Sequence, residues 1–265
     1  MRIKTIADQL YYSTVRVINE KSGGEFAFGT GFLFRLDDDP NAHRLLISNK
    51  HVLEKASKIY ININQGCEAP DDVPCTIEIP TAVFEHPDAS VDVALIDIDE
   101  VFISYSLNVA PLFARFLSPQ HIPSQDQIER LNSIEDLTIV GYPNALWDEK
   151  HCLPIVRRGI SATPVMVDYQ NKPTFLIDAS IFPGSSGSPV FLYNEGLYTQ
   201  GNSVNVGSRI YLLGIVAAVN YIRSSLHSNT GPDSYINQFI DLGTVFKART
   251  IMETVEAYRT TLKNS

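Results

Sequence analysis

The stretch FPGSSGSPVF, residues 182–191, places three serines and two glycines between apolar flanks. A serine hydroxyl is a weak nucleophile until a base removes its proton, so catalysis by such a serine needs a histidine and an acid elsewhere in the chain. Taken alone, a cluster of Ser, Gly and Pro is more often a plain turn that needs small residues. The choice between nucleophile and turn therefore depends on other residues.

A histidine and an aspartate precede this cluster, each beside an apolar strand-like segment. His51 follows LLISNK directly, and Asp92 in VDVALIDI shares the alternation of Ala94 and Ile96. An aspartate on an apolar face is costly to bury unless another group hydrogen-bonds it, so Asp92 needs a partner. The chain order His51, Asp92, Ser186 is the order of catalytic triads in chymotrypsin-type enzymes.

The elements that must position these residues are mostly strands. About eleven short segments of strand character recur with turn residues between them, and no fixed repeat is visible. Their spacing predicts a sandwich or a barrel rather than alternating strands and helices. Residues 104–136 are polar, carry three prolines and divide the strands into two groups of similar length. At the end of the chain, Thr250 and Glu253 stand at capping-box spacing before an amphipathic helix.

Three motifs in order carry a family resemblance. LLISNKHVL, DVALIDI and FPGSSGSPVF resemble those of trypsin-like serine peptidases in the glutamyl endopeptidase and exfoliative toxin branch. GTGFLF, RRGISA and the closing helix are similar to those of HtrA-type protease domains. The resemblance implies an all-β chymotrypsin-like fold of two six-stranded antiparallel β-barrels with a C-terminal α-helix.

The resemblance also implies a division of the chain. We expect an N-terminal barrel over residues 1–115, which carries His51 and Asp92, and an inter-barrel crossover over residues 116–136. A C-terminal barrel with Ser186 is expected over residues 137–245, followed by a helix over residues 246–265.

By position, the resemblance assigns a role to each motif residue. Ser186 is the nucleophile, His51 the general base and then acid, and Asp92 the group that orients the imidazole. The backbone N–H groups of Gly184 and Ser186 form the oxyanion hole. The pocket for the substrate residue before the scissile bond is lined by Ser180, Ile181, Val216, Ala217, Ala218 and Val219.

None of these pocket residues is charged. Charged substrate side chains are expected to be rejected, because desolvating an unpaired charge costs several kcal/mol. Where glutamyl endopeptidases carry a histidine that recognises glutamate, this chain has Val216, and Val219 stands where many relatives have glycine. The sequence therefore predicts cleavage after small or medium apolar residues.

Composition limits the partners and cofactors. The net charge of −9 and pI near 5.1 argue against nucleic acid or an anionic membrane as the main partner and leave a protein or peptide substrate. Cys67, Cys75 and Cys152 indicate neither a zinc site nor a disulfide scaffold, so no metal or cofactor is expected. Without a signal peptide or a membrane span in the sequence, we expect a cytoplasmic protein.

Two functions stay open at this stage. The first is an active serine endopeptidase, which the complete set of His51, Asp92 and Ser186 favours. The second is a catalytically silent peptide-binding module of the same fold, or one that a regulatory protein partner activates. The remaining histidines, including His86, are expected on the surface or in loops.

Overall fold

The computed structural model describes residues 3–36, 43–71, 73–201, 203–226 and 234–263. For residues 218–226 and 234–240 it describes the backbone but not the side chains. Strands dominate, as predicted, and a helix closes the chain. The five helices of the described residues are α1 (Ile6–Ser13), α2 (Lys50–Leu53), α3 (Asp99–Asn108), α4 (Gln125–Glu129) and α5 (Ala248–Lys263).

The N-terminal half forms one antiparallel sheet. Its eight strands are β1 (Thr14–Lys21), β2 (Phe26–Arg35), β3 (Arg44–Ser48), β4 (Ala56–Gln65), β5 (Pro74–Ile79), β6 (Phe84–Glu85), β7 (Ala94–Asp97) and β8 (Leu112–Phe113). They are ordered β5-β4-β1-β2-β3-β7-β6, with β8 paired to β4. Two strands, β6 and β8, have only two residues each. The six longer strands correspond to the predicted six, although no ladder within the described residues closes them into a barrel.

The C-terminal half contains a closed six-stranded barrel. Its strands are β9 (Asp136–Gly141), β10 (Ile155–Ser161), β11 (Thr174–Asp178), β12 (Pro189–Asn194), β15 (Arg209–Leu226) and β16 (Ser234–Lys247). Neighbours around the barrel follow the order β10-β11-β16-β15-β12-β9. A separate hairpin of β13 (Leu197–Gln200) and β14 (Ser203–Val206) projects between β12 and β15.

The closing helix begins two residues before the predicted cap. Helix α5 starts at Ala248, and the Thr250 hydroxyl donates to the Lys247 carbonyl (2.8 Å). The predicted capping box of Thr250 and Glu253 is therefore wrong, because Thr250 already lies inside the helix. The apolar face of α5 is as predicted, with Ile251 and Val255 fully buried.

Three apolar clusters hold these elements together. One lies inside the N-terminal sheet and one inside the C-terminal barrel. The third joins the two halves: it contains Phe32 and Leu95 from the first, Phe191 from the second, and Ile251 from α5. Burial of this shared cluster fixes the two halves against each other, because apolar area removed from water stabilises the packed arrangement.

Among the described helices, none combines the length and apolar character needed to span a bilayer. The described residues also contain no group of three or more His, Cys, Asp or Glu placed to hold a metal ion. The cysteines are free: Cys67 is exposed, Cys75 is half-buried and Cys152 is buried.

Candidate active site

The histidine lies at the start of a short helix that follows a buried strand. Ser48 and Asn49 at the end of β3 are fully buried, whereas the side chain of His51 in α2 is 45% exposed. The amide of Asn49 donates to the Asp92 carbonyl oxygen (2.6 Å). The junction of β3 and α2 is thereby attached to the segment that carries the aspartate.

His51 and Asp92 contact each other twice. The ring Nδ1 lies 2.6 Å from Asp92 Oδ2, and the backbone N–H of His51 donates to Oδ1 (3.2 Å). An ionised carboxylate only accepts hydrogen bonds, so Nδ1 carries the proton and Nε2 is left as the basic nitrogen. The predicted need of Asp92 for a partner is met by His51.

Ser186 lies in a tight loop between β11 and β12. Successive bonds fold this loop, from Ser185 N–H to the Phe182 carbonyl (3.0 Å) and from Ser188 N–H to the Ser185 carbonyl (3.0 Å). Gly187 has φ +89°, and a Cβ there would lie 1.7 Å from the Thr30 carbonyl oxygen. The same Cβ would lie 2.6 Å from Oγ of Ser48, three residues before the histidine. The absence of a side chain at Gly187 therefore lets the serine loop pack directly on the strands that lead to α2.

The Ser186 hydroxyl donates to the Ala217 carbonyl oxygen at 3.2 Å. Within the described residues, no hydrogen bond joins it to His51. Catalytic hydrogen bonds are often long or unformed without substrate. To give its proton to the imidazole, the hydroxyl has to leave Ala217 by rotation about the Cα–Cβ bond.

Two backbone N–H groups beside the serine are open to a ligand. The Pro183 carbonyl accepts from Asn144 N–H (2.6 Å), which turns this peptide so that its N–H, on Gly184, points the opposite way. Gly184 has φ +86°, and a Cβ there would lie 2.6 Å from the Tyr142 carbonyl oxygen. Within the described residues, neither Gly184 N–H nor Ser186 N–H has an acceptor. Such a pair can stabilise a developing oxyanion.

Thr30 on β2 is a site residue that the sequence analysis did not identify. Its N–H donates to the Ser186 carbonyl (2.9 Å) and its hydroxyl to the Gly184 carbonyl (2.9 Å), while the hydroxyl accepts from Tyr142 N–H (3.0 Å). The residue is fully buried. One residue of the N-terminal half thus holds both residues of the predicted oxyanion hole, Ser186 through its backbone N–H and Gly184 through its hydroxyl. The GTG pattern around Thr30 was the available signal.

The predicted pocket residues have different surroundings. Ser180 is exposed, whereas Ile181 and Val216 are fully buried in the core of the C-terminal barrel. Ala217 is 6% exposed and supplies the carbonyl that holds the serine hydroxyl. The side chains of Ala218 and Val219 lie outside the described residues, although both backbones belong to β15.

A cation that the sequence analysis did not identify lies at this pocket. Nη1 of Arg157, on β10, donates to the Ser180 carbonyl oxygen at 2.5 Å. Its Nε and Nη2 are buried, and neither has a hydrogen-bond partner among the residues that the structure describes. Desolvation lowers the pKa of Arg157 to about 10, which leaves the guanidinium charged at neutral pH. The predicted wall residues therefore carry no charge, as expected, but Arg157 of β10 brings a positive charge to the pocket.

A model of the trypsin-like peptidase domain matches residues 29–197, a span that contains His51, Asp92 and Ser186. This chain belongs to the trypsin-like peptidase domain family. The family is one of serine proteases, which are hydrolases. Curated protein sequences gave no significant match to the chain.

Solved structures of proteases share the fold of this chain. The HtrA-type protease AlgW with a tripeptide is 16% identical with a TM-score of 0.54, over 95% of this chain and 61% of that chain. An AlgW variant with a decapeptide is 13% identical with a TM-score of 0.51, over 98% and 67%. The serine endoprotease from Yersinia pestis is 19% identical with a TM-score of 0.50, over 97% and 67%.

At these identities the likeness shows the fold alone. It confirms the predicted chymotrypsin-like fold with its C-terminal helix. The chain spans about three fifths of the length of the AlgW chain with the tripeptide.

Proposed function

We propose that this protease is an endopeptidase that cleaves peptide bonds of protein substrates through a triad of His51, Asp92 and Ser186. The observation that carries the proposal is the double contact of His51 with Asp92, at 2.6 Å between Nδ1 and Oδ2. It lies beside a serine loop with two unoccupied N–H donors. An oriented base, a hydroxyl and an oxyanion site are the parts that acyl transfer needs.

In the proposed mechanism, Nε2 of His51 takes the hydroxyl proton of Ser186 as Oγ attacks the scissile carbonyl carbon. The carbonyl oxygen becomes an oxyanion that accepts hydrogen bonds from Gly184 N–H and Ser186 N–H. The imidazolium, stabilised by Asp92, then gives its proton to the leaving amine, and an acyl ester remains on Oγ. Water hydrolyses this ester by the same steps in reverse order.

For the substrate residue before the cleaved bond, we propose a small or medium apolar side chain. The predicted walls carry no charge, and the guanidinium of Arg157 behind Ser180 adds repulsion against Lys and Arg. A difference of one methylene changes preference by only about 1–3 kcal/mol. Selectivity is therefore graded among apolar residues and steep against cations.

Arg157 also favours a second candidate substrate, one with Asp or Glu before the cleaved bond. A buried guanidinium with two unpaired nitrogens gains a charge-assisted hydrogen bond when a carboxylate enters. Such a preference would accord with the glutamyl endopeptidase and exfoliative toxin branch, an assignment that still rests on the motifs alone. The two substrate classes are separable by experiment.

A silent peptide-binding module is the second candidate function. The bond from Ser186 Oγ to the Ala217 carbonyl favours it, because a hydroxyl held there is not activated by His51. A regulatory partner or the substrate itself would then have to release the hydroxyl. Both solved AlgW structures contain a peptide, which makes a peptide the proposed ligand in either case.

Digestion of a peptide library by the purified protein tests these proposals. We expect cleavage after Ala, Val or Leu, none after Lys or Arg, and none at all with Ser186→Ala. Dominant cleavage after Glu or Asp that Arg157→Met abolishes would replace the apolar preference with the acidic one. Peptides bound but not cut by wild type and Ser186→Ala alike would instead identify a binding module.

A further inference from the structure

A buried histidine lies outside the triad, between the aspartate loop and α5. His86 lies in the loop directly after β6, so the expectation of a loop position is confirmed, but its side chain is buried, at 8% exposed. Its ring Nε2 lies 3.1 Å from Oε2 of Glu253 on α5. The shared apolar cluster packs α5 against this end of the N-terminal half.

Both ring nitrogens of His86 are used. The backbone N–H of Asp88 donates to Nδ1 (2.9 Å), and a backbone N–H can only donate. Nδ1 is therefore the acceptor, and Nε2 carries the proton that is donated to Glu253. The ring connects α5 on one side with the backbone two residues further along the loop on the other.

The loop held by this ring ends at Asp92. His86 N–H donates to the Val93 carbonyl (3.0 Å) and closes the loop at its base. At its tip, Oδ1 of Asp88 accepts from both the N–H and the hydroxyl of Ser90 (2.8 Å each). These bonds fix the loop at its base and at its tip, and the position of Asp92 depends on both.

Lys50 attaches the same loop to the catalytic helix. Its ammonium group donates to the carbonyls of His86 and Asp88 (3.3 Å each), and it immediately precedes His51. The Lys50 side chain is 14% exposed and also lies 3.7 Å from Glu85. The loop is thus held from one side by α2 and from the other by α5, and His86 is the residue common to both sets of contacts.

We propose that His86 is a positioning residue that, braced by Glu253 of α5, sets the loop so that the Asp92 carboxylate stays within hydrogen-bond distance of His51 Nδ1. The proposal rests on the proposed triad. It makes the C-terminal helix part of the catalytic support, although α5 contacts neither His51 nor Ser186 within the described residues.

Two amide replacements separate the hydrogen bond at Nε2 of His86 from the hydrogen bond at Nδ1. His86→Gln can still reach Glu253 but lacks an acceptor at the Nδ1 position, whereas His86→Asn keeps that acceptor and loses Glu253. Since a small displacement far from the chemistry can reduce a rate by up to about 10²-fold, we expect His86→Gln to lower kcat at least about tenfold with little change in KM. His86→Asn should recover part of that loss.

A matched control is His43→Asn. His43 also faces a carboxylate near α5, since its Nδ1 lies 2.5 Å from Asp97, which accepts from the Tyr258 hydroxyl of α5 (2.9 Å). It makes no described contact with the Asp92 loop, so its kcat should match wild type. If His86→Gln fails to fold, Glu253→Ala serves instead, because Glu253 is 52% exposed and its replacement leaves the core intact.

A proton NMR readout separates failure of this inference from failure of the proposed function. A short hydrogen bond to a carboxylate moves the resonance of the His51 Nδ1 proton downfield, and this can be recorded in a Ser186→Ala background without any turnover. We expect the resonance to broaden or move upfield in His86→Gln and to persist in His43→Asn. An unchanged resonance together with wild-type kcat in His86→Gln and Glu253→Ala would overturn the role of His86, whereas an inactive wild type would count against the triad itself.

Discussion

Both oxygens of the Asp92 carboxylate contact the same residue, His51, one at the ring and one at the backbone. Oδ2 lies 2.6 Å from Nδ1, and Oδ1 accepts from the backbone N–H at 3.2 Å. The backbone bond fixes the carboxylate, and the carboxylate in turn fixes the ring tautomer. The direct contacts that orient the imidazole are therefore confined to this pair of residues, whose placement depends on the loop that carries Asp92.

Replacement of Asp92 by asparagine tests that property. The amide NH₂ favours the wrong tautomer of His51, so we expect turnover to fall by up to ~10⁴-fold while the fold persists. Steady-state kinetics on the best library peptide, with thermal unfolding as the control, measure the effect. Activity within a few-fold of wild type would mean that another acid orients the ring.

The residues of this site differ in how far the sequence predicts them. The alternation around Asp92 indicates that it needs a partner, and the family resemblance assigns His51 to that role. Thr30 and Arg157 cannot be found that way. Their roles depend on contacts with Gly184 and Ser180, later in the chain, and the GTG pattern around Thr30 does not reveal that partner.

The hydroxyl of Thr30, on β2, is one of the groups of the N-terminal half that support the oxyanion loop, because it bonds both the Gly184 carbonyl and Tyr142 N–H. Thr30→Val keeps the shape of the side chain but leaves the Gly184 carbonyl and the Tyr142 N–H without their partner. An unsatisfied buried polar group costs about 1–3 kcal/mol. We therefore expect a lower melting temperature and a fall in kcat/KM for Thr30→Val.

Thr30→Ser is the matched variant for this prediction, because it restores the hydroxyl and loses only a methyl group. Most of the lost kcat/KM should return with it. Equal kinetics for Thr30→Val and wild type would show that the bonds to Gly184 and Tyr142 do not support the loop.

Short and self-paired elements are among the parts of the fold that the sequence did not reveal. Residues 104–136 form a polar stretch in the sequence, whereas α3 extends into it as far as Asn108 and buries only Phe102. The hairpin of β13 and β14 pairs only with itself within the described residues. Its Leu197 and Val206 are exposed. A weak buried face leaves little periodic signal, so neither element could be read from alternation.

At the scale of the whole molecule, the proposed site needs both halves and α5. The N-terminal half supplies His51 and Asp92, and the C-terminal barrel supplies Ser186. Thr30 joins the two halves directly through its bond to the Ser186 carbonyl. The shared apolar cluster, which includes Ile251 of α5, packs the two halves against each other. The order of motifs along the chain predicts this division, since each half carries one part of the chemistry. The exact domain boundaries and the cytoplasmic location stay predictions.

The central claim is that one serine is activated by His51 beside an oxyanion site. A fluorophosphonate probe tests it most directly, because it reacts quickly only with such a serine. Intact-mass measurement and peptide mapping of the folded protein should find a single adduct on Ser186, absent from Ser186→Ala and slowed in Asp92→Asn. Stoichiometric labelling of Ser185 or Ser188, or no labelling of a folded sample with peptide present across pH 5 to 8, would contradict the account.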